Sequence, residues 1–188
     1  MGLFMQAYLN SRQPTLGWEV GGGVAALQER SPIELGEELT LLTNLSEWVP
    51  PARLKVWIEQ EIERLDLDIP RISGSSWQHL DVQPKMLLAL LSFAYATRVF
   101  CPEDIVERCS SDVMFRLISE GNVPFVQELS NFRRRNRRLL ERVLAGVFLQ
   151  AIRDKFDLEV IWLSPELVQD LNSHAKARLD LARHMDTR

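Results

Sequence analysis

Six arginines fall within the ten residues 133–142, in a segment that reads FRRRNRRLLER from residue 132. The planar guanidinium of arginine can donate two parallel hydrogen bonds to a phosphate or to the O6/N7 edge of guanine. Residues 131–155 hold eight Lys or Arg against two Asp or Glu, a local charge of +6, whereas the whole chain carries −4. The remainder therefore carries −10. Positive charge this concentrated is typical of a surface that contacts a phosphate backbone.

Apolar residues are interleaved with the arginines at helical spacing, which predicts an amphipathic helix rather than a disordered basic arm. We expect this helix to begin at Pro124, to bend near Asn136 and to reach about Phe156. A helical wheel places one polar stripe at Gln127, Asn131, Arg134, Arg138 and Arg142. The opposite, packed side holds Phe125, Leu129, Phe132, Leu139, Val143 and Val147.

The candidate DNA-binding residues are Gln127, Asn131, Arg133, Arg134, Arg135, Arg137, Arg138 and Arg142. A solvated arginine face that pairs with acids of other helices is the alternative.

Composition excludes several classes of function. An overall pI near 5.5 argues against a general nucleic-acid sponge, because most of the surface should repel nucleic acid. No apolar run has the roughly 18 residues of a membrane span, and the N-terminus lacks a secretory pattern. Cys101 and Cys109 have no further Cys or nearby His, which predicts ordinary thiols in a reducing cytoplasm. With no glycine phosphate loop, nucleophile elbow or metal signature, we expect no cofactor and no metal.

No segment alternates apolar and polar residues as a strand does, so the chain is predicted to be an all-α helical bundle. We expect a flexible leader over 1–31, a helical DNA-binding-like domain over 32–157, and a tail over 158–188. The tail should contain an extended piece at 158–163 and a polar helix, Pro165–Met185. Before residue 124, apolar spacing and proline positions predict a loop over 66–81 and helices over 32–42, 51–65, 83–99, 102–109 and 111–119.

The two short helices, the turn at Gly121 and Asn122, and the basic helix together describe a helix-turn-helix unit. In this interpretation the short helices brace a DNA backbone while residues 124–142 present the polar stripe to a major groove.

We expect Ser110 or Ser111 to cap the helix 111–119. Asp112 should form a cap or an ion pair with Arg116. Tyr95 is expected to be a core ring with a bonded hydroxyl.

Ordered motifs over residues 83–143 resemble the N-terminal domain of bacterial insertion-sequence transposases of the DDE (RNase H-like) type. The family's Pro-x-x-Leu-Leu-x-Leu-Leu-x-x-Gly/Ala-Tyr pattern is matched by Pro84, Leu87, Leu88, Leu90, Leu91, Ala94 and Tyr95. A following Glu…Asp-Val-x-Phe-Arg block is matched by Glu107, Asp112, Val113, Phe115 and Arg116. The closing Ile-Ser-x-Phe-Arg-x-x-His motif appears as 129–136, with Asn136 in place of the His. The resemblance covers about residues 45–157.

The resemblance implies binding to the ends of a mobile element and assembly with a second copy or a full-length transposase. The family's catalytic domain would begin with a strand ending in Asp-Gly-Thr, but the corresponding region is Val160–Glu166 and 22 residues follow it. We therefore expect a cytoplasmic, duplex-DNA-binding module without nuclease activity, truncated or repurposed. The alternative is a helical adaptor or inhibitor whose arginines dock an acidic protein. The acidic remainder and the apolar pair Phe125-Val126 favour that alternative.

Incubation with supercoiled or end-mimicking DNA and Mg²⁺ or Mn²⁺ should give neither nicked nor joined products on a gel. Two-metal phosphodiester chemistry needs carboxylates gathered around both ions. The tail acids Glu166, Asp170 and Asp180 share one predicted helix, and a rise of about 1.5 Å per residue separates the first from the last by about 21 Å. Metal-dependent cleavage that copurifies with the protein and disappears in Glu166→Gln or Asp170→Asn would contradict this.

Overall fold

A computed structural model of the chain describes residue 42 and residues 45–65, 84–156 and 165–185. Every regular element within these ranges is an α-helix, so the all-α prediction is confirmed. The helices of the described part are α1 (Leu45–Trp48), α2 (Pro51–Glu63), α3 (Pro84–Ala96), α4 (Pro102–Ser111), α5 (Val113–Ile118), α6 (Val126–Arg135), α7 (Arg137–Phe156) and α8 (Pro165–Met185). None of them is both long and apolar enough to cross a bilayer. The predictions for 1–31, for most of 32–42, and for the segments 66–81 and 158–163 lie outside the described residues.

The central element is α3, because it is apolar on almost every side and must therefore be surrounded by other helices. Ten of its 13 residues are buried, and α2, α7 and α8 all pack against it. The helix ends at Ala96 because Arg98 takes a left-handed conformation with φ +66°. The N–H of Val99 then reaches back to the carbonyl of Ala94 at 2.7 Å, which closes the helix end. The predicted helix over 83–99 is confirmed for Pro84–Ala96 and ends three residues earlier than predicted, while residue 83 lies outside the described residues.

Helix α2 begins at Pro51, where the missing N–H costs nothing. Leu54, Trp57, Ile58 and Ile62 are buried as their spacing predicted. Glu59 and Glu63 of this helix are exposed, whereas the side chain of Glu61 is only 13% exposed because α7 covers it. Gln150 donates a hydrogen bond to its Oε1 at 3.2 Å, and a Cβ at Gly146 would overlap its carboxylate. Glycine at position 146 thus allows α2 and α7 to approach closely.

A short connection joins α4 to α5 at Asp112. The serine cap predicted at 110 or 111 is wrong: the carboxylate of Asp112 accepts from the N–H groups of Met114 (2.7 Å) and Phe115 (3.2 Å). Asp112 therefore caps α5, one of the two roles predicted for it. At the other end Glu120 (φ +54°) takes the first left-handed position, ahead of Gly121 (φ +77°).

The basic segment forms two helices where one bent helix was predicted. The first, α6, begins at Val126 rather than Pro124, and the Glu128 carboxylate accepts from the N–H of Phe125 at 2.8 Å. Asn136 ends it: its backbone leaves helical geometry (φ −113°, ψ +24°) and its side-chain amide donates to the carbonyl of Phe132 at 3.1 Å. The side-chain directions given by one helical wheel over 124–142 are therefore valid within α6 and within α7, but not across the break at Asn136.

The last helix, α8, has the bounds that the sequence predicted, but the helix predicted to be polar also has a buried side. It buries Leu167, Leu171, Ala175, Arg178, Leu179 and Ala182 and packs against α7 and α3. Arg178 donates to the carbonyls of Tyr95, Ala96 (2.8 Å) and Leu42, and its guanidinium lies 5.1 Å from the ring centre of Phe148. The described residues all belong to one compact unit, Glu34–Arg188, so α8 is part of the helical domain.

Replacement of Arg178 by alanine should lower the free energy of unfolding by about 3 kcal/mol or more, because buried carbonyls would lose a charged donor. Burial, and then the positive charge of Arg98, lower the pKa of Arg178 to about 10, which leaves the side chain charged at neutral pH. Urea denaturation followed by circular dichroism measures the effect. Lys176→Ala, at an exposed position of the same helix, is the matched control and should change little. Equal stability of the two variants would contradict this role.

Candidate nucleic-acid interface

The predicted DNA-binding residues do not share one environment. Exposed positions are Gln127, Arg134, Arg135, Arg138 and Arg142, and Asn131 is half-buried. Arg133 is buried, and Arg137 is half-buried. The break at Asn136 divides these residues between α6 and α7, so each helix sets its own face.

Three of the predicted residues form a hydrogen-bonded row along α6. Gln127 Nε2 donates to Asn131 Oδ1 at 3.4 Å, and Arg134 Nη2 donates to the same oxygen. Since the side chains are spaced i, i+4 and i+7, they lie on one face of the helix. A guanidinium has five N–H donors, so Arg134 keeps donors available for a ligand.

Arg138 and Arg142 lie one helical turn apart on the exposed side of α7. Ion pairs among the described residues join Arg53 to Asp154, Lys55 to Glu59, Arg64 to Glu61, and Arg137 to Glu141 and Asp180. Arg134, Arg138 and Arg142 take part in none of these pairs. The alternative of an arginine face neutralised by neighbouring acids therefore does not describe these three side chains.

Arg133 lies in the core rather than on the exposed face, with only 5% of its surface accessible. Its Nη1 donates to the hydroxyl of Tyr95 at 3.2 Å. Tyr95 is fully buried and stacks on Phe100, so the prediction of a core ring with a bonded hydroxyl is confirmed. Burial raises the pKa of Tyr95, against the opposing effect of Arg133. Arg133 thus links α6 to α3. It does not belong to the exposed arginine face.

Arg137 holds α7 to α8. Its Nε donates to Glu141 and its Nη2 to Asp180, each at 2.8 Å. Hydrogen bonds from these carboxylates, that of Asp180 first, raise the pKa of Arg137. Because both acids already neutralise this guanidinium, Arg137 contributes less to the field outside the protein than its exposed neighbours do.

The packed side of the basic segment is largely as predicted, with one exception. Leu129, Phe132, Val143 and Val147 are buried and Leu139 is half-buried. Phe125, predicted to pack inside, is 72% exposed. Its backbone is extended (φ −77°, ψ +148°) and precedes the first helical residue, so helical spacing does not apply to it. Exposed apolar side chains nearby in sequence are Val113, Leu117 and Val123.

A cleft of about 730 Å³ lies beside the polar face of α6. The start of α4, one side of α6, the first turn of α7 and the end of α8 line it. Four arginines contribute to its wall, together with one acid, Glu103: Arg133, Arg134, Arg137 and Arg183. Arg183 is not among the predicted site residues, because only the packing of α8 against α7 brings residue 183 beside residue 134.

The described residues contain no group of three or more His, Cys, Asp or Glu side chains that could hold a metal ion. Both cysteines are free thiols. The Cys101 thiol donates to Glu103 Oε2 at 2.8 Å, and this bond raises its pKa. Burial raises the pKa of Cys109. Neither thiol has the lowered pKa that activates a nucleophilic cysteine, in accord with ordinary thiols.

Comparisons of the chain with protein-family models, with curated proteins and with solved structures give no match. The resemblance to transposases therefore stays a prediction that depends on its motif residues. Many of these are core residues of α3, among them Leu87, Leu88, Leu90, Leu91 and Tyr95. Any buried helix needs apolar side chains at such positions, so these residues reflect packing, and the exposed residues carry the information about function.

Replacing Arg134 and Arg138 together by alanine should leave the free energy of unfolding almost unchanged, because both side chains are exposed. Phe132→Ala should instead cost about 3–5 kcal/mol, as expected for truncation of a buried aromatic ring. Circular dichroism melts in urea compare the two variants. If the arginine pair proves the more destabilising change, the assignment of the faces is inverted.

Proposed function

We propose that this protein binds duplex DNA through the exposed arginines of α6 and α7 without cutting it. In this proposal it is a module similar to the end-binding domain of an insertion-sequence transposase, truncated or repurposed. The observation that supports the proposal best is the set Arg134, Arg138 and Arg142: exposed, on consecutive helices, and outside every ion pair of the described residues. A second copy of the chain or a full-length transposase is the further partner that the resemblance implies.

Electrostatics favours a local and oriented contact. Each arginine that neutralises a phosphate releases a condensed counterion, which is the main source of non-specific affinity for DNA. The −10 charge of the chain outside residues 131–155 opposes approach from other directions. The exposed arginines of α6 and α7 would therefore both attract the duplex and fix which side of the protein it meets.

Within the proposed complex, α6 is the helix that enters the major groove. A groove about 12 Å wide admits an α-helix, and residues near the start of a recognition helix read base edges. Gln127 is the second residue of α6 and is exposed, and a glutamine amide can pair with the N6/N7 edge of adenine. Arg138 and Arg142 would contact phosphates, with α4 and α5 against the backbone.

The connection between α5 and α6 spans the seven residues 119–125, whereas the turn of a helix-turn-helix unit has about 3–4 residues. A longer connection still permits the arrangement, as α4 and α6 pack against each other and α3 packs on both α5 and α6. Helices α4, α5 and α6 are accordingly the proposed helix-turn-helix unit, with an extended second turn.

One observation favours the alternative of a protein-binding adaptor or inhibitor. Val113 and Phe125 are more than 70% exposed, and Leu117 and Val123 are about half exposed. Cores of protein interfaces are enriched in aromatic side chains and in arginine. An acidic protein that covers both Phe125 and the exposed arginines would use these residues together, in a way that a DNA backbone would not.

Duplex DNA should bind with a strong dependence on salt. Four arginine–phosphate contacts predict a slope of about −3.6 for the logarithm of the association constant against the logarithm of salt concentration, at about −0.9 per phosphate. Fluorescence anisotropy with labelled random duplex and with terminal-repeat duplex gives the slope. The double variant Arg138→Ala/Arg142→Ala should bind more weakly on both duplexes.

The matched control is the double variant Arg53→Ala/Arg64→Ala, which removes the same charge from α2 and its end, outside the proposed face. Its affinity should stay close to that of the unmodified chain. A flat salt response, absence of binding at low salt, or equal losses in the two double variants would reject the DNA interface and favour the adaptor.

A further inference from the structure

Phe125 is the one exposed aromatic side chain among the residues that the structure describes, with 72% of its surface accessible. It lies directly before the first residue of α6, the helix proposed to enter the major groove. Burial of an aromatic ring is strongly favourable, so a ligand that covers this ring gains affinity. A DNA backbone offers no apolar group that could do so, whereas the edges of the bases do.

The backbone that carries the Phe125 ring is fixed on both sides. Pro124, directly before it, is buried and has a restricted φ. The N–H of Phe125 donates to the carboxylate of the buried Glu128 at 2.8 Å, and its carbonyl accepts from the N–H of Leu129 at 3.2 Å. Because the position of the ring is set before any ligand arrives, covering it costs little conformational entropy.

A polar group that can contact a base lies beside this ring. Gln127 is exposed, and its Nε2 donates to Asn131 Oδ1 at 3.4 Å. A glutamine amide has two N–H donors and one acceptor oxygen, so one N–H and Oε1 stay available for a base edge. The backbone positions of Phe125 and Gln127 are at most about 7 Å apart, which equals about two base-pair steps of 3.4 Å. Both side chains therefore reach the same few base pairs.

We propose that Phe125 contacts the 5-methyl group of a thymine in the major groove, beside the base edge that Gln127 meets. Thymine presents a methyl group in that groove, and phenylalanine is one of the side chains that pack against it. An A·T pair also carries the adenine N6/N7 edge, which suits a glutamine amide. Phe125 and Gln127 together therefore select A·T pairs. This assignment rests on the proposed duplex contact and adds the class of base that the start of α6 recognises.

Selection from a random-sequence duplex pool with the full chain supplies the test duplex. Each thymine of that duplex is then replaced singly by uracil, which lacks the 5-methyl group, and fluorescence anisotropy measures the affinity. For at least one thymine we expect the replacement to weaken binding by the unmodified chain about fourfold, the effect of one buried methyl group. Phe125→Ala should bind the thymine and uracil duplexes equally. Its melting curve should match that of the unmodified chain, because the lost side chain is exposed and Glu128 still receives the backbone N–H.

Val113→Ala is the matched control, because Val113 is equally exposed (73%) but lies on α5. It should keep the full difference between thymine and uracil. A selection that enriches no sequence, equal affinity of the unmodified chain for thymine and uracil at every position, or a difference that persists in Phe125→Ala overturns the proposal and favours a protein partner for Phe125. Absence of any duplex binding at low salt rejects the proposed function as well, whereas binding without a methyl effect rejects this inference alone.

Discussion

The carboxyl end of α3 is the constraint on which the arrangement of the other helices depends. The last carbonyls of a helix have no intrahelical donor, and here they lie in the core. The chain reversal at Arg98 supplies one donor: the N–H of Arg98 donates to the carbonyl of Tyr95 at 3.3 Å. Arg178 of α8 supplies donors to Tyr95 and Ala96, and Arg133 of α6 donates to the Tyr95 hydroxyl. Two buried arginines therefore fix α8 and α6 against one end of the same helix, and the cleft lies between them.

This constraint divides the arginines of one short segment into two uses. Arg133 and Arg137 are turned toward α3 and α8 and hold the fold together. Arg134, Arg138 and Arg142 face away from these contacts and stay exposed. The break at Asn136 makes the division possible, because it lets α7 start with a new orientation after α6. Charge density alone, which drew attention to the segment, does not distinguish the two uses.

The sequence predicted the features that depend only on residues near each other in the chain, such as helix starts and the burial of an apolar helix. Proline at a first helical position gave the starts of α2, α4 and α8, and an apolar run on all sides gave the buried α3. Features that depend on distant partners were not predictable in this way. The burial of Arg133 depends on Tyr95, which is 38 positions away, and Arg183 lines the cleft only because α8 packs against α7. The exposure of Phe125 and the split of the basic segment depend on where α6 begins and ends, to within a few residues.

Arg137 and Arg138 are neighbours in sequence with opposite assigned roles, so they test the division of the segment most directly. The measurement is the salt dependence of duplex-DNA affinity, together with the free energy of unfolding, for Arg137→Ala and for Arg138→Ala. We predict that Arg138→Ala lowers the magnitude of the salt slope by about 0.9 with stability unchanged. Arg137→Ala should destabilise the fold and leave the slope nearly as it was. Loss of slope in Arg137→Ala, with none in Arg138→Ala, would contradict the account.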